Sequence, residues 1–215
     1  MSRPPLFAIA DGMGGARAGE VASALAASAL EESSAGRGGE AYVVELIQEA
    51  NRRVHERAST DAETSGMGTT ITVALIERDG TVTMGHVGDS RAYLFRDGHA
   101  RQLTEDHSWI QEQVRAGLLT PGEAKESRFR NIITRSVGFE PLVTPDLQDL
   151  HPQAGDCFLL CSDGLSNYIP VEEIGQILTT DFYRDAPRAL IALANDRGGD
   201  DNVTCICVHV ANDAP

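Results

Sequence analysis

Four apolar runs in this chain stop at, or start from, an aspartate, and that recurrence constrains the fold more than any other feature. Phe7-Ala8-Ile9-Ala10 runs into Asp11-Gly12, Met84-Gly85-His86-Val87-Gly88 into Asp89-Ser90, and Phe158-Leu159-Leu160-Cys161-Ser162 into Asp163-Gly164. Gly199-Asp200-Asp201-Asn202 stands directly before the apolar stretch 203–210. An Asp-Gly pair by itself makes a turn. That suffices for Asp79-Gly80 and Asp97-Gly98, which join short polar-edged segments with hairpin chemistry. It does not suffice for Asp11 and Asp163. The end of a fully apolar strand is an expensive place for a charge, and several carboxylates meeting there repel unless a divalent cation holds them. An all-oxygen set without a convincing His/Cys partner favours Mg²⁺ or Mn²⁺ over Zn²⁺.

The remaining pattern supplies the frame for those ends. Residues 4–10 read as a short strand and 13–16 as a turn. An Ala-rich helix is expected over 18–32, with Val21, Leu25 and Ala29 on one side. A second is expected over 40–57, where Val43, Leu46, Ile47, Ala50 and Val54 recur at helical spacing. Segments 69–77, 81–87, 91–96 and 99–103 then form a meander of β-branched and alternating residues. Residues 104–128 lose the strand pattern and suggest short helices around Thr120-Pro121-Gly122. Strands return at 143–150, 156–161 and 202–210, and helices at 171–178 and 186–195. Helices open and close the chain around a β-meander, which is an α+β arrangement with mainly antiparallel sheet.

Composition narrows the classes. A length of 215 residues suits one domain with a substantial core. A formal charge of −14 argues against non-specific binding to nucleic acid or to anionic membrane. No run of about 18 apolar residues suggests a membrane span, and the first apolar stretch is too short for a secretory signal. Cys157, Cys161, Cys205 and Cys207 are spaced CxxxC and CxC, a poor match to zinc knuckles. They read as packed free thiols, which places the chain in a reducing cytoplasm. An arginine-heavy, Ala- and Gly-rich composition suggests a GC-rich bacterial genome, and a monomer is expected.

At the aspartate-bearing stretches the chain resembles the metal-dependent serine/threonine protein phosphatases, the PPM or type-2C family, in their bacterial form. The matching segments are Phe7-Ala-Ile-Ala-Asp-Gly-Met-Gly-Gly15 with Gly19-Glu20-Val-Ala-Ser23; Gly66-Met-Gly-Thr-Thr70; His86-Val-Gly-Asp-Ser-Arg91; Leu103-Thr-Glu-Asp-His-Ser108; Ile133-Thr-Arg-Ser-Val-Gly138; Leu160-Cys-Ser-Asp-Gly-Leu165; and Asp201-Asn-Val-Thr204. They occur in the family's order. The resemblance implies a single domain over 1–215, built as a four-layer α-β-β-α sandwich, with a flap at about 107–131. It implies two Mn²⁺ or Mg²⁺ ions at one edge of the sandwich. Asp11 would bridge them, the Gly12 carbonyl would hold one, and Asp163 and Asp201 the other. Asp106 matches an acid that helps bind a third, weaker metal, and Asp89 would orient the loops. The implied reaction is hydrolysis of phosphoserine and phosphothreonine on proteins by water that the cations acidify, with no protein nucleophile.

Three departures from that pattern matter. The family carries an Arg-x-x-Asn-Glu/Gln-Asp motif upstream, where the Arg grips phosphate; Ser2-Arg3-Pro4-Pro5 does not match it. Two alternatives are therefore expected, a fragment or wrongly started chain, or a natural variant with impaired phosphate binding, with Arg17 as a weak substitute. Met13 stands where many members have a histidine proposed as general acid. Asn167 stands where an acid commonly holds the third metal, and a neutral amide is the weaker cation ligand. The missing Arg leaves an alternative open, a non-catalytic module that binds phosphoproteins. His86, His107 and Trp109 read as packed structural residues.

Overall fold

A computed structural model describes residues 5–32, 37–180 and 184–211. Ser2-Arg3-Pro4 lies outside these. The first half holds β1 (Leu6–Ile9), β2 (Gly12–Met13), α1 (Ala16–Glu31), α2 (Glu40–Thr60), β3 (Gly68–Thr69), β4 (Ile71–Ile76), β5 (Val82–Val87), β6 (Arg91–Arg96) and β7 (His99–Gln102). The second half holds α3 (Trp109–Arg115), α4 (Pro121–Glu126), β8 (Asp146–Leu150), β9 (Cys157–Cys161), α5 (Asp163–Ser166), α6 (Val171–Thr180), α7 (Ala186–Asp196) and β10 (Cys205–His209).

Two four-stranded antiparallel sheets form, ordered β1-β4-β5-β8 and β10-β9-β6-β7. Successive side chains on a strand point to opposite faces, and here that alternation builds three separate cores. In β4, Ile71, Val73 and Leu75 pack against Ala22 and Ala26 of α1 and Val43 and Ile47 of α2. Ala74, on the opposite face, meets Ile9, Met84, Leu94, Phe158 and Leu160 between the two sheets. In β9, Leu159 and Cys161 turn the other way, onto Ile174, Leu190 and Ala194 of α6 and α7. Helices, sheet, sheet, helices: the four layers follow from which faces are apolar. The mixed, antiparallel architecture expected from the sequence is the one observed.

The strand pattern places four acidic segments at one end of this sandwich. Ile9 pairs with Thr72, and Ile71 with Val87, so the ends of β1 and β5 are level. In the second sheet Cys161 faces both Arg91 and Cys205, so the end of β9 lies beside the start of β10. Asp11, Asp89 and Asp163 each leave such an end, and Asp201 approaches one.

One local reading changes. Residue 13 does not lie only in a turn: Gly12–Met13 pairs with Gly68–Thr69 as a two-residue ribbon. Asp163 opens the one-turn helix α5. Between β7 and β8 the chain leaves the sheets. It is pinched where Ser108 bridges Ile133, with the Trp109 amide on the Ile132 carbonyl and the Thr134 amide on the His107 carbonyl. Beyond the pinch, Ser108 caps α3, and Thr120 and Glu123 form a capping box on α4.

Candidate metal centre

Asp11 is held by its backbone. Its amide donates to the Thr70 hydroxyl at 2.9 Å, and its carbonyl accepts from the Thr70 amide at 2.8 Å and the Thr69 hydroxyl at 2.9 Å. Gly12 follows because nothing larger fits: a Cβ there would overlap the carbonyl of Gly19, in the first turns of α1. The same holds at Gly164, where a Cβ would run into the carbonyl of Asn202. Each glycine is thus a close approach of two backbones, and each approach brings an aspartate loop against its neighbour. At Gly164 the segments joined are those carrying Asp163 and Asp201.

The carboxylates interact. Burial pushes the Asp11 carboxyl up to about 7, and the charges of Asp163, Asp201 and Asp89 add to that. Burial likewise pushes Asp89 up to about 7, with Asp163 and Asp106 contributing, against the opposing pull of Arg91. Asp163 is raised as well, by burial first and then by Asp201, while its neighbour Asp11 acts in the opposite direction. Like charges forced together favour protonation; a divalent cation removes the same repulsion without a proton. Among the described residues no three His, Cys, Asp or Glu side chains close into a ready-made ligand shell. An open, oxygen-only set of few carboxylates suits Mg²⁺ or Mn²⁺, which retain water ligands. Asp11, the Gly12 carbonyl, Asp163 and Asp201 fit such a group.

Asp106 lies beside Asp89 but its oxygens are engaged. Arg91 donates to them from Nε at 2.9 Å and from Nη2 at 2.7 Å. A cavity of about 130 Å³ opens at its flank, walled by Asp106, His107, Gln111, Arg115, Arg135 and Asp146. Asn167 donates to Asp163 Oδ2 at 3.2 Å, so the amide bonds a carboxylate of the cluster. Arg17 has its side chain 89 % exposed and 3.7 Å from Glu63.

Neither histidine is aimed at the cluster. His86 Nε2–H donates to the Glu105 carbonyl at 3.1 Å, which leaves Nδ1 to accept from Thr72 at 2.9 Å. Burial holds its pKa down to about 4. His107 Nδ1 accepts the Gly88 amide at 3.0 Å, so its Nε2–H donates to Asp146 at 3.1 Å. Trp109 packs edge-on to Phe129. The four cysteines are free thiols. The residues that sequence reasoning left without a role are Thr70, Ser90 and Arg91, although all three lie within quoted segments.

A model of the protein phosphatase 2C family matches residues 2–203. The chain belongs to that family. It is 38% identical over 215 residues to the serine/threonine phosphatase stp of Listeria innocua, covering 96% of this chain and 85% of that protein. It is 37% identical over 220 residues to the protein phosphatase PhpP of Streptococcus pneumoniae, covering 95% and 85%. Among solved structures, the catalytic domain of the serine/threonine protein phosphatase PstP, in complex with two manganese ions, superposes with a TM-score of 0.86 at 37% identity. That match covers 96% of this chain and 88% of the other. The likeness spans both sheets and both helix pairs, so membership of the phosphatase 2C family rests on the whole sandwich and not on the acidic motifs alone.

Proposed function

We propose that this protein hydrolyses phosphoserine and phosphothreonine monoesters on other proteins, with Mn²⁺ or Mg²⁺ held by Asp11, the Gly12 carbonyl, Asp163 and Asp201, and a third, weaker ion near Asp106. The supporting observation is the cluster of Asp11, Asp89 and Asp163, whose carboxyls are raised by burial and by one another. When bound, the cations supply an acidified water and neutralise the phosphoryl oxygens.

The side chains beside the cluster argue against a covalent route. Burial pushes the Cys161 thiol far above its ordinary range, so it yields no thiolate. The Ser162 hydroxyl donates to the Asn202 carbonyl at 3.2 Å and accepts the Thr204 amide at 3.1 Å. It is a clasp between strands, without a base to activate it. Water is the nucleophile that remains. The segment 107–131, pinched at its neck, acts as the flap over the site within a single domain. Phosphorylated proteins are the partners. The excess of acid, −14, disfavours nucleic acid and anionic lipid, and no described helix is long and apolar enough to cross a membrane. The free thiols support a cytoplasmic location, and the protein acts as a monomer.

Hydrolysis of p-nitrophenyl phosphate tests this. Turnover should require Mn²⁺ or Mg²⁺ and stop with EDTA. Mn²⁺ binding without turnover would instead identify a phosphoprotein-binding module.

A further inference from the structure

Asp11 and Asp89 lie on different loops of the first sheet, 78 positions apart in sequence. The strand ladder brings the ends of β1 and β5 level, but Asp11 is beyond β1 and Asp89 beyond β5. A buried hydroxyl pair ties the two loops to each other. Thr70 Oγ1 lies 2.7 Å from Ser90 Oγ and at the same time accepts the Asp11 amide at 2.9 Å. Thr70 is 1 % exposed and Ser90 0 %, so neither hydroxyl can exchange its partner for solvent. A line of polar groups continues inward. Thr72 Oγ1 lies 3.2 Å from the Ser90 carbonyl and donates to His86, whose other nitrogen reaches the Glu105 carbonyl, one residue before Asp106. The inter-sheet core is apolar through its middle and switches to hydroxyl and imidazole at the end nearest the acids.

We propose that the Thr70–Ser90 hydroxyl pair is a strut that sets the spacing of Asp11 and Asp89, making Thr70 and Ser90 positioning residues for the metal centre. The inference rests on the metal-centre reading above. A strut of this kind acts through the ligand it holds, Asp11, and through the Asp89 loop beside it, and loss of such outer partners typically weakens metal affinity by about 10–100-fold. Thr70→Val removes the hydroxyl and keeps the shape, Thr70→Ser keeps the hydroxyl and loses the methyl, and Ser90→Ala removes the other half.

The test is Mn²⁺ binding by calorimetry on the folded full chain, beside KM for p-nitrophenyl phosphate and the melting temperature. Thr70→Val and Ser90→Ala should each weaken Mn²⁺ by about tenfold, with KM at saturating Mn²⁺ unchanged, and Thr70→Ser should bind as the parent does. The double variant should bind no worse than the weaker single, because two halves of one strut do not add. Singles that lower the melting temperature and leave Mn²⁺ affinity within threefold of the parent would overturn the strut and show a merely structural pair. So would additive losses in the double variant. If Thr70→Val does not fold, Ser90→Ala carries the same decision. A parent chain that binds no Mn²⁺ at all would overturn the metal-centre reading and the strut together; a parent that binds with unaffected variants overturns the strut alone.

Discussion

The guanidinium of Arg91 takes both carboxylate oxygens of Asp106, at 2.9 and 2.7 Å, on the side of the cluster that Asp89 faces. The side chains are 25% and 14% exposed, so the pair is mostly withdrawn from water. A forked donor on a planar acceptor is a geometry that lysine cannot reproduce. Arg91 therefore does two things: it balances Asp106, and it offsets part of the repulsion between Asp106 and Asp89.

Replacing Arg91 with alanine should leave Asp106 as an uncompensated, mostly buried charge and destabilise the protein by about 3 kcal/mol, the low end for breaking a buried pair. Arg91→Lys should recover only part of that. Urea unfolding at neutral pH measures it, and a lysine variant as stable as the parent would show that the fork is irrelevant.

The metal-free protein should become less stable as pH rises. Asp11 is raised to about 7 in the folded state, against about 4 in an unfolded chain. The folded form thus holds a proton that the unfolded form has released, and stability falls between about pH 4 and pH 7 and is level above. Asp11→Asn removes that term, so the variant without metal should gain on the parent from pH 5 to pH 8 while losing Mn²⁺ binding. Parallel pH curves for the two would refute the repulsion.

Mn²⁺ should reverse the penalty in the parent. At a free concentration 100 times its Kd, a single site adds about 2.7 kcal/mol of stability. Thermal unfolding with and without Mn²⁺ reads this directly, and Asp163→Ala should abolish the shift.

A second ion pair supplies a control away from the site. Burial works to raise Asp156, but its two bonds from Arg96, at 2.8 and 2.6 Å, and one from the Gln153 amide hold it below the ordinary carboxylate range. A lowered folded pKa gives stability that is present above about pH 4 and is lost as pH falls through the folded value. Asp156→Asn should lower the melting temperature at pH 7 by roughly 5 °C, and the gap should narrow on acidification with Mn²⁺ affinity untouched.

The large features of the fold were legible because they depend on period. Apolar runs at 71–76, 157–161 and 205–209 marked the strands, and helical spacing in 40–57 found the buried stripe of α2. Asp11, Asp89, Asp163 and Asp201 stood out because charge at the end of an apolar run is rare without a purpose. What was not legible depends on contacts between distant segments. Asp163-Gly164 has turn chemistry, yet the packing of Gly164 on Asn202 accompanies a helix turn there. Thr70 and Ser90 are ordinary polar residues until folding brings their hydroxyls to 2.7 Å. Arg91 alternates like any strand residue, and only the return of Asp106 reveals its partner.

The central claim is that the aspartate cluster holds the cations that make this chain a phosphatase. Inorganic phosphate released from a phosphothreonine peptide at saturating Mn²⁺, by the parent and by Asp163→Ala at equal folded concentration, tests it most directly. Sustained, EDTA-sensitive turnover by the parent is expected, with a loss of at least a hundredfold in the variant, about 2.7 kcal/mol or more of transition-state stabilisation. Turnover that survives both EDTA and Asp163→Ala would contradict it.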